Sequence, residues 1–175
     1  MTSFIDLIQQ RRSCRLYEEK PVTQEQIETL KKALLWAPTS KNNRPWEFVF
    51  VTNADTLKQL SLAKPHGANF MASAPLAVVI LADPAKSDVW IEDTAVAATL
   101  LQMAAEDLGL GSCWIQIRGR QHESGELASD VVKTILNAPV HLEVASIISI
   151  GYKGKERKPN SDDMLLSERI HQECF

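Results

Sequence analysis

An α+β or three-layer fold is what this chain of 175 residues predicts. Two observations lead there. The stretch from Pro75 to Ala82, PLAVVILA, is so continuously apolar that a strand formed from it needs cover on both faces. Strand-like runs are also scattered among segments of helical period, so sheet and helices must pack as layers around one core. At this length residues 1–175 fit a single domain, which buries about two thirds of the surface its unfolded chain would expose.

The elements follow in order. Thr2 or Ser3 can cap a first helix in which Phe4, Leu7, Ile8 and Arg11 recur at helical spacing, leaving Arg11 and Arg12 at its end. Thr23 and Gln26 form a capping box ahead of Ile27, Leu30, Leu34 and Leu35, predicting a second helix to about Ala37. Pro38 to Pro45 is polar loop, and Trp46 to Thr52 is β-rich. Asn53 caps a short helix through Leu57 and Leu60, after which Lys64 to Ser73 is irregular or briefly helical. Asp88 or Asp93 opens a long helix, apolar at Ile91, Ala95, Ala98, Leu101, Ala105 and Leu108, with Gly109 as its left-handed terminator. Its alanines let other helices approach closely, at the centre of the molecule or between two subunits. Ser112 to Arg118 and Glu143 to Ile150 are further strands. Between them Leu127, Val131, Val132, Ile135 and Leu136 mark a helix stopped near Asn137-Ala138-Pro139. Lys153 to Asp163 is a charged, Pro-containing loop, and Leu165 to Phe175 is expected to dock as a short helix.

Composition narrows the function. An apolar share of 45% and a charged share of 23% are ordinary for a globular protein. The net charge of -3 argues against a dedicated nucleic-acid binder, which needs a basic surplus on one face. No apolar run is long enough to cross a bilayer, and the first residues reverse the charge order of a secretory signal, so the expected location is cytoplasmic. Cys14, Cys113 and Cys174 are far apart without C-x-x-C spacing, which suggests neither disulfides nor zinc. The four histidines form no metal-binding pair, and no G-x-G-x-x-G or G-x-S-x-G occurs.

Three constellations carry candidate chemistry. In R-R-S-C-R, Arg11 to Arg15, guanidinium forks and a hydroxyl can surround a phosphate or a polarised carbonyl; taken alone, the run also reads as solvated cations at a helix C-terminus. Ala37 to Trp46, APTSKNNRPW, offers hydroxyl and amide donors to a heteroaromatic edge, or is plain turn chemistry. Gly111 to Gln116 and Ile150 to Pro159 bring a strand end at Gly151 into Lys153, Lys155, Arg157 and Lys158, a second cationic group able to meet the first around one anion, or a solvated surface. Cys14 beside three arginines would have a lowered pKa if exposed.

The order of these motifs resembles the nitroreductase family of FMN enzymes across nearly the whole chain. The family pattern R-R-S-x-R, P-S-S-x-N-x-Q-P-W, an Asp before an Ala-rich helix ending L-G-L-G-S-x-W, I-G-Y, and E-R-I-H-x-E-x-F reads here as Arg11 to Arg15, Pro38 to Trp46, Asp93 to Trp114, Ile150 to Tyr152 and Glu168 to Phe175. Thr39 stands where the pattern has Ser, and Arg44 where it has Gln.

The resemblance implies a mixed, mostly antiparallel central sheet flanked by helices in an intertwined homodimer with FMN at the subunit interface. Arg11, Ser13 and Lys155 or Arg157 would meet the phosphate and ribityl chain, Arg12 would add a contact nearby, and Arg15 would approach the pyrimidine edge. Pro38, Thr39, Ser40 and Asn42 would come from the other subunit. Trp114 and Ile115 would lie near the ring, Gly151 near the phosphate end, and Asn69 is a further flavin candidate. The implied chemistry is a ping-pong cycle in which NADH or NADPH and then a nitroaromatic, quinone or similar acceptor visit the same ring. No catalytic acid or base and no metal are required; the cofactor does the hydride chemistry and a cation stabilises charge on it. The alternative is a flavin-binding or redox-sensing protein of the same fold without significant turnover.

Overall fold

The computed structural model describes residues 3–175. In chain order it contains α1 (Phe4–Gln10), α2 (Gln24–Leu35), β1 (Trp46–Val51), α3 (Ala54–Ser61), β2 (Leu76–Ala82), α4 (Trp90–Asp107), β3 (Leu110–Gln116), α5 (Ala128–Leu136) and β4 (Glu143–Tyr152). Short 3-10 turns lie at Ser40–Asn42, Asn69–Ser73, Asp162–Met164 and Ser167–Arg169. The α+β class holds.

Helix starts follow local hydrogen-bond chemistry. Ser3 and Asp6 form a capping box on α1, and Thr23 and Gln26 form another on α2. Thr2, the other candidate cap, lies outside the described residues. Asn53 accepts from the Thr56 amide to start α3. Neither Asp88 nor Asp93 is the cap of α4: that position is Val89, which offers no side-chain acceptor. Asp93 sits inside the first turn, where its buried carboxylate accepts from Ser87 Oγ and from the Ser40 amide, each at 2.8 Å. Gly109, at φ +72, ends α4 as expected, and Asn137 ends α5 in the same left-handed region.

The strands form one sheet in the order β1-β2-β4-β3, antiparallel throughout. The expected parallel component is reduced to an isolated bridge between Ser13 and Ser112. β3 begins two residues before the expected Ser112, and β4 runs two residues beyond Ile150, because Leu110 pairs with Tyr152 and Gly111 with Gly151. β2 is central, and its alternation explains its apolar run. Val78 and Ile80 face α2 and α4, packing with Leu30, Leu34 and Leu101, whereas Val79 and Leu81 face α3 and α5 with Leu57, Leu60 and Val132. Every β2 residue is buried, and each fully buried branched side chain contributes about 1.5–3 kcal/mol to the core.

Ala97, Ala98 and Ala105 form the buried side of α4, which lets α2 and the sheet approach it closely. Its other side is only partly covered: Leu100 and Ala104, half-buried, and the buried Met103 line an open apolar depression with Phe4, Leu7 and Trp36, and Trp36 is 79% exposed. Ile91, expected to face inward, is 38% exposed. The tail departs from expectation too. Leu165 to Phe175 does not dock as a helix; it makes one 3-10 turn and leaves Ile170 and Phe175 in solvent.

Candidate functional site

The chain's two ends are spliced together. Residues 9–18 run antiparallel to residues 152–160: the Glu18 amide donates to the Tyr152 carbonyl, Gly154 to Leu16, Asn160 to Gln9, and Arg12 Nη1 to the Lys158 carbonyl at 2.8 Å. On its other side the early segment joins β3, where the Cys14 amide donates to the Ser112 carbonyl at 2.9 Å. Two glycines make this approach possible. A side chain on Gly111 would lie 2.6 Å from Cys14 Cβ and 2.9 Å from Lys153 Cγ; one on Gly151 would lie 2.5 Å from Pro75 Cδ. Gly151 therefore serves close packing against Pro75 and Tyr17.

The splice gathers charge. Arg12, Ser13, Lys153, Lys155 and Arg157 line one small cleft, with Glu156 the single acid among them. Lys153 is already committed, its Nζ lying 2.7 Å from the carboxylate of Glu106, which is almost fully buried. Lys155 and Arg157 have no carboxylate within ion-pair distance among the described residues. Cations crowded in this way repel one another, and the fork of Arg12 and the Ser13 hydroxyl suit a tetrahedral anion such as a phosphate. Arg11 does not line the cleft; its charge reaches Cys113 on β3.

Next to this cleft, the Arg15 guanidinium stands 5.8 Å over the ring of Phe70, whose neighbour Asn69 is exposed at the start of a 3-10 turn. Cys113 lies beneath, within reach of Ser13 and Arg15. Burial pushes its thiol upward, and the pull of Arg15 and the Ser13 hydroxyl only partly offsets that shift. Cys14 is buried and donates to the Leu16 carbonyl, so the exposure needed for a reactive thiolate is not met. Trp114 is half-buried, its indole N–H donating to Gln116. Ile115 points the other way, into the core against α3 and α5, so its side chain cannot approach a ring on the Trp114 face.

The loop from Pro38 to Asn42 is elsewhere. Its Ser40 amide is tied to Asp93, Thr39 Oγ1 accepts from the Arg44 amide, and Asn42 Oδ1 accepts from Arg44 Nε. Lys41, Asn42 and Arg44 all take positive φ, a cost these bonds help to hold. Asp93 marks the first turn of α4 and Glu106 its last, a separation of about 20 Å along the axis. Within one chain the loop and the arginine cleft therefore stand at opposite ends of α4.

Two contributors were not anticipated. Tyr17 is buried, and its hydroxyl bonds to Ser149 Oγ at 2.7 Å and to the Cys14 carbonyl at 2.9 Å, fixing the turn that presents Arg15. Glu106 was legible as an anomaly, since an acid in the last turn opposes the helix dipole unless a partner compensates it. Among the described residues no group of three potential metal ligands occurs, and no helix is long and apolar enough to cross a membrane.

Fold and site together define an antiparallel α+β protein with a polybasic cleft where the early segment meets the segment after β4. Residues 8–64 and 58–152 match the Nitroreductase family, and the chain belongs to it. An Archaeoglobus fulgidus protein named as an NADH dehydrogenase/NAD(P)H nitroreductase is 33% identical over 99% of both chains. An FMN-dependent nitroreductase from Clostridium difficile superposes with a TM-score of 0.96 at 41% identity, covering 98% of this chain and 99% of that one. A Desulfovibrio desulfuricans nitroreductase in complex with FMN shares the fold, with a TM-score of 0.77 at 23% identity, over 98% and 97% of the respective chains.

Proposed function

We propose that this chain is a cytoplasmic FMN-dependent oxidoreductase that uses NADH or NADPH to reduce nitroaromatics, quinones or similar electron-poor acceptors, working as a homodimer. The observation that carries the reading is a cation cleft in which Lys155 and Arg157 have no carboxylate partner, beside an exposed guanidinium at Arg15, an arrangement that fits a ligand with a phosphate at one end and a polar heteroaromatic edge at the other. When bound, FMN supplies the hydride chemistry, accepting from the nicotinamide and passing electrons to the acceptor. The protein's residues position and bias it. Arg12, Ser13, Lys155 and Arg157 hold the phosphate, with Arg11 behind them. Arg15, seated on Phe70 beside Asn69, offers permanent positive charge to the pyrimidine edge and so favours the form that gains electrons.

The dimer supplies what one chain lacks. Pro38, Thr39, Ser40 and Asn42 are about 20 Å along α4 from their own chain's cleft, so they reach a flavin only on a partner. The partly covered apolar face of Phe4, Trp36 and Leu100 is the surface on which that partner would seat.

Anaerobic titration of the FMN-loaded protein with NADH or NADPH tests turnover: bleaching of the flavin's visible band followed by recolouring with a quinone is expected. A flavin that neither nicotinamide bleaches would indicate a binding or sensing protein instead. Subunit sharing is tested by mixing and re-annealing Arg15→Ala and Asn42→Ala homodimers. Recovery of activity in the mixture is expected, and no recovery would refute a shared site.

A further inference from the structure

Lys64, His66 and Arg120 line a second, solvent-open cleft of about 370 Å³, with Pro65 and Gln121. Lys64 follows α3, whereas Arg120 belongs to a turn after β3 fixed by its amide bonding to the Ile117 carbonyl and its carbonyl accepting from the Ala128 amide. Two distant segments thus direct cations at one space. No acid lines it, and among the described residues neither Lys64 nor Arg120 has an ion-pair partner.

The arrangement is unfavourable as it stands. Lys64 is half-buried; burial, and then the charge of Arg120, hold its pKa below the ordinary lysine value. A bound anion relieves both penalties. Lys64 lies six residues before Phe70, the ring under Arg15, and Arg120 follows β3, the strand that carries Cys113 and Trp114, so this cleft is built from the elements of the ring end of the proposed flavin site and shares no residue with its phosphate end. Gln121 and His66 add hydrogen-bonding capacity around the same opening.

We infer that Lys64 and Arg120 form a second anion site, which takes a phosphate group of the nicotinamide dinucleotide while its reducing end visits the bound ring. The inference rests on the reductase reading above. It makes the two cation clefts different in role, one for the resident cofactor and one for the transient reductant.

FMN-loaded wild type, Lys64→Gln and Arg120→Gln are titrated anaerobically with NADPH, with NADH and with 1-benzyl-1,4-dihydronicotinamide, which has no phosphate. Each variant is expected to need roughly tenfold more dinucleotide to reach half of the maximal rate of bleaching, followed by stopped-flow absorbance, the effect of losing one charge-assisted hydrogen bond. Loss with NADPH alone assigns the site to the 2′-phosphate, and equal loss with both assigns it to the pyrophosphate. Reduction by the phosphate-free compound and the FMN dissociation constant are expected to stay unchanged. Variants that titrate like wild type, lose FMN, or slow all three reductants equally overturn the site alone. A wild type that holds FMN yet is bleached by neither dinucleotide overturns the reductase reading and the site with it.

Discussion

Replacing Lys153 by Met should destabilise this protein far more than replacing its partner Glu106 by Gln. The ion pair spans 2.7 Å, but its two ends differ: the Glu106 side chain is 4% exposed and that of Lys153 is 20%. Removing the ammonium strands a carboxylate that cannot reach water, at a cost of about 3–5 kcal/mol. Removing the carboxylate leaves a flexible ammonium at the cleft mouth that can swing outward, so the loss is about 1–2 kcal/mol, chiefly one charge-assisted hydrogen bond. For a chain of this size the first loss lowers Tm by roughly 6–20 °C and the second by roughly 2–8 °C. Urea unfolding at fixed protein concentration, monitored by tryptophan fluorescence, reads both, with the Lys153→Met/Glu106→Gln double variant closing the cycle. The double variant should recover most of the lysine variant's loss. Equal losses for the two single variants, or no recovery in the double, would show that solvent screens the pair and that its burial does not matter.

Other outcomes follow from the same geometry. Gly111→Ala should cost about 1–3 kcal/mol by overpacking against Cys14 and Lys153 and should weaken FMN binding, which fluorescence quenching measures; unchanged stability with unchanged affinity would mean the splice yields freely. Lys155→Ala or Arg157→Ala should weaken FMN binding by roughly tenfold and flatten its salt dependence without altering stability, and a change in stability instead would make the residue structural. Leu100→Asp should yield monomers by sedimentation that lose FMN; a dimer of wild-type affinity counts against the proposed interface. Cys113 and Tyr17 both have raised folded pKa values from burial, so they bind protons more tightly folded than unfolded. Their contribution is full below the unfolded thiol and phenol pKa values, about 8.5 and 10, and is lost as pH rises past them. Urea midpoints should fall in alkaline solution, less so for Cys113→Ala and Tyr17→Phe, and a flat profile in wild type would contradict this.

The layers were legible because their signals are local. The cap at Ser3, one of two candidates, the capping box at Thr23, the left-handed stop at Gly109 and the doubly buried β2 each arise within a few residues. Strand ends were misplaced by two residues because the pairing of Leu110 with Tyr152 is a long-range bargain between segments that no single window contains. Arg12, Ser13, Lys155 and Arg157 could be named from charge alone, yet that they share a cleft depends on the splice. Ile115 was named with Trp114 through the family resemblance; strand alternation sends the two side chains to opposite faces, which leaves only the Ile115 backbone available to a ring on the Trp114 side. Lys64 and Arg120 gave no motif at all, and only the folded arrangement makes their shared opening visible. The tail was read as helix from composition, although its apolar residues lie in solvent.

Arg12 and Lys158 are 146 residues apart, yet their contact helps to shape the cleft. Closing so large a loop is entropically expensive and only worthwhile once the intervening sheet already holds the termini near each other. A chain ending at β4 would consequently possess a nearly complete hydrophobic interior but only the early half of the cation cleft, without Lys155 and Arg157.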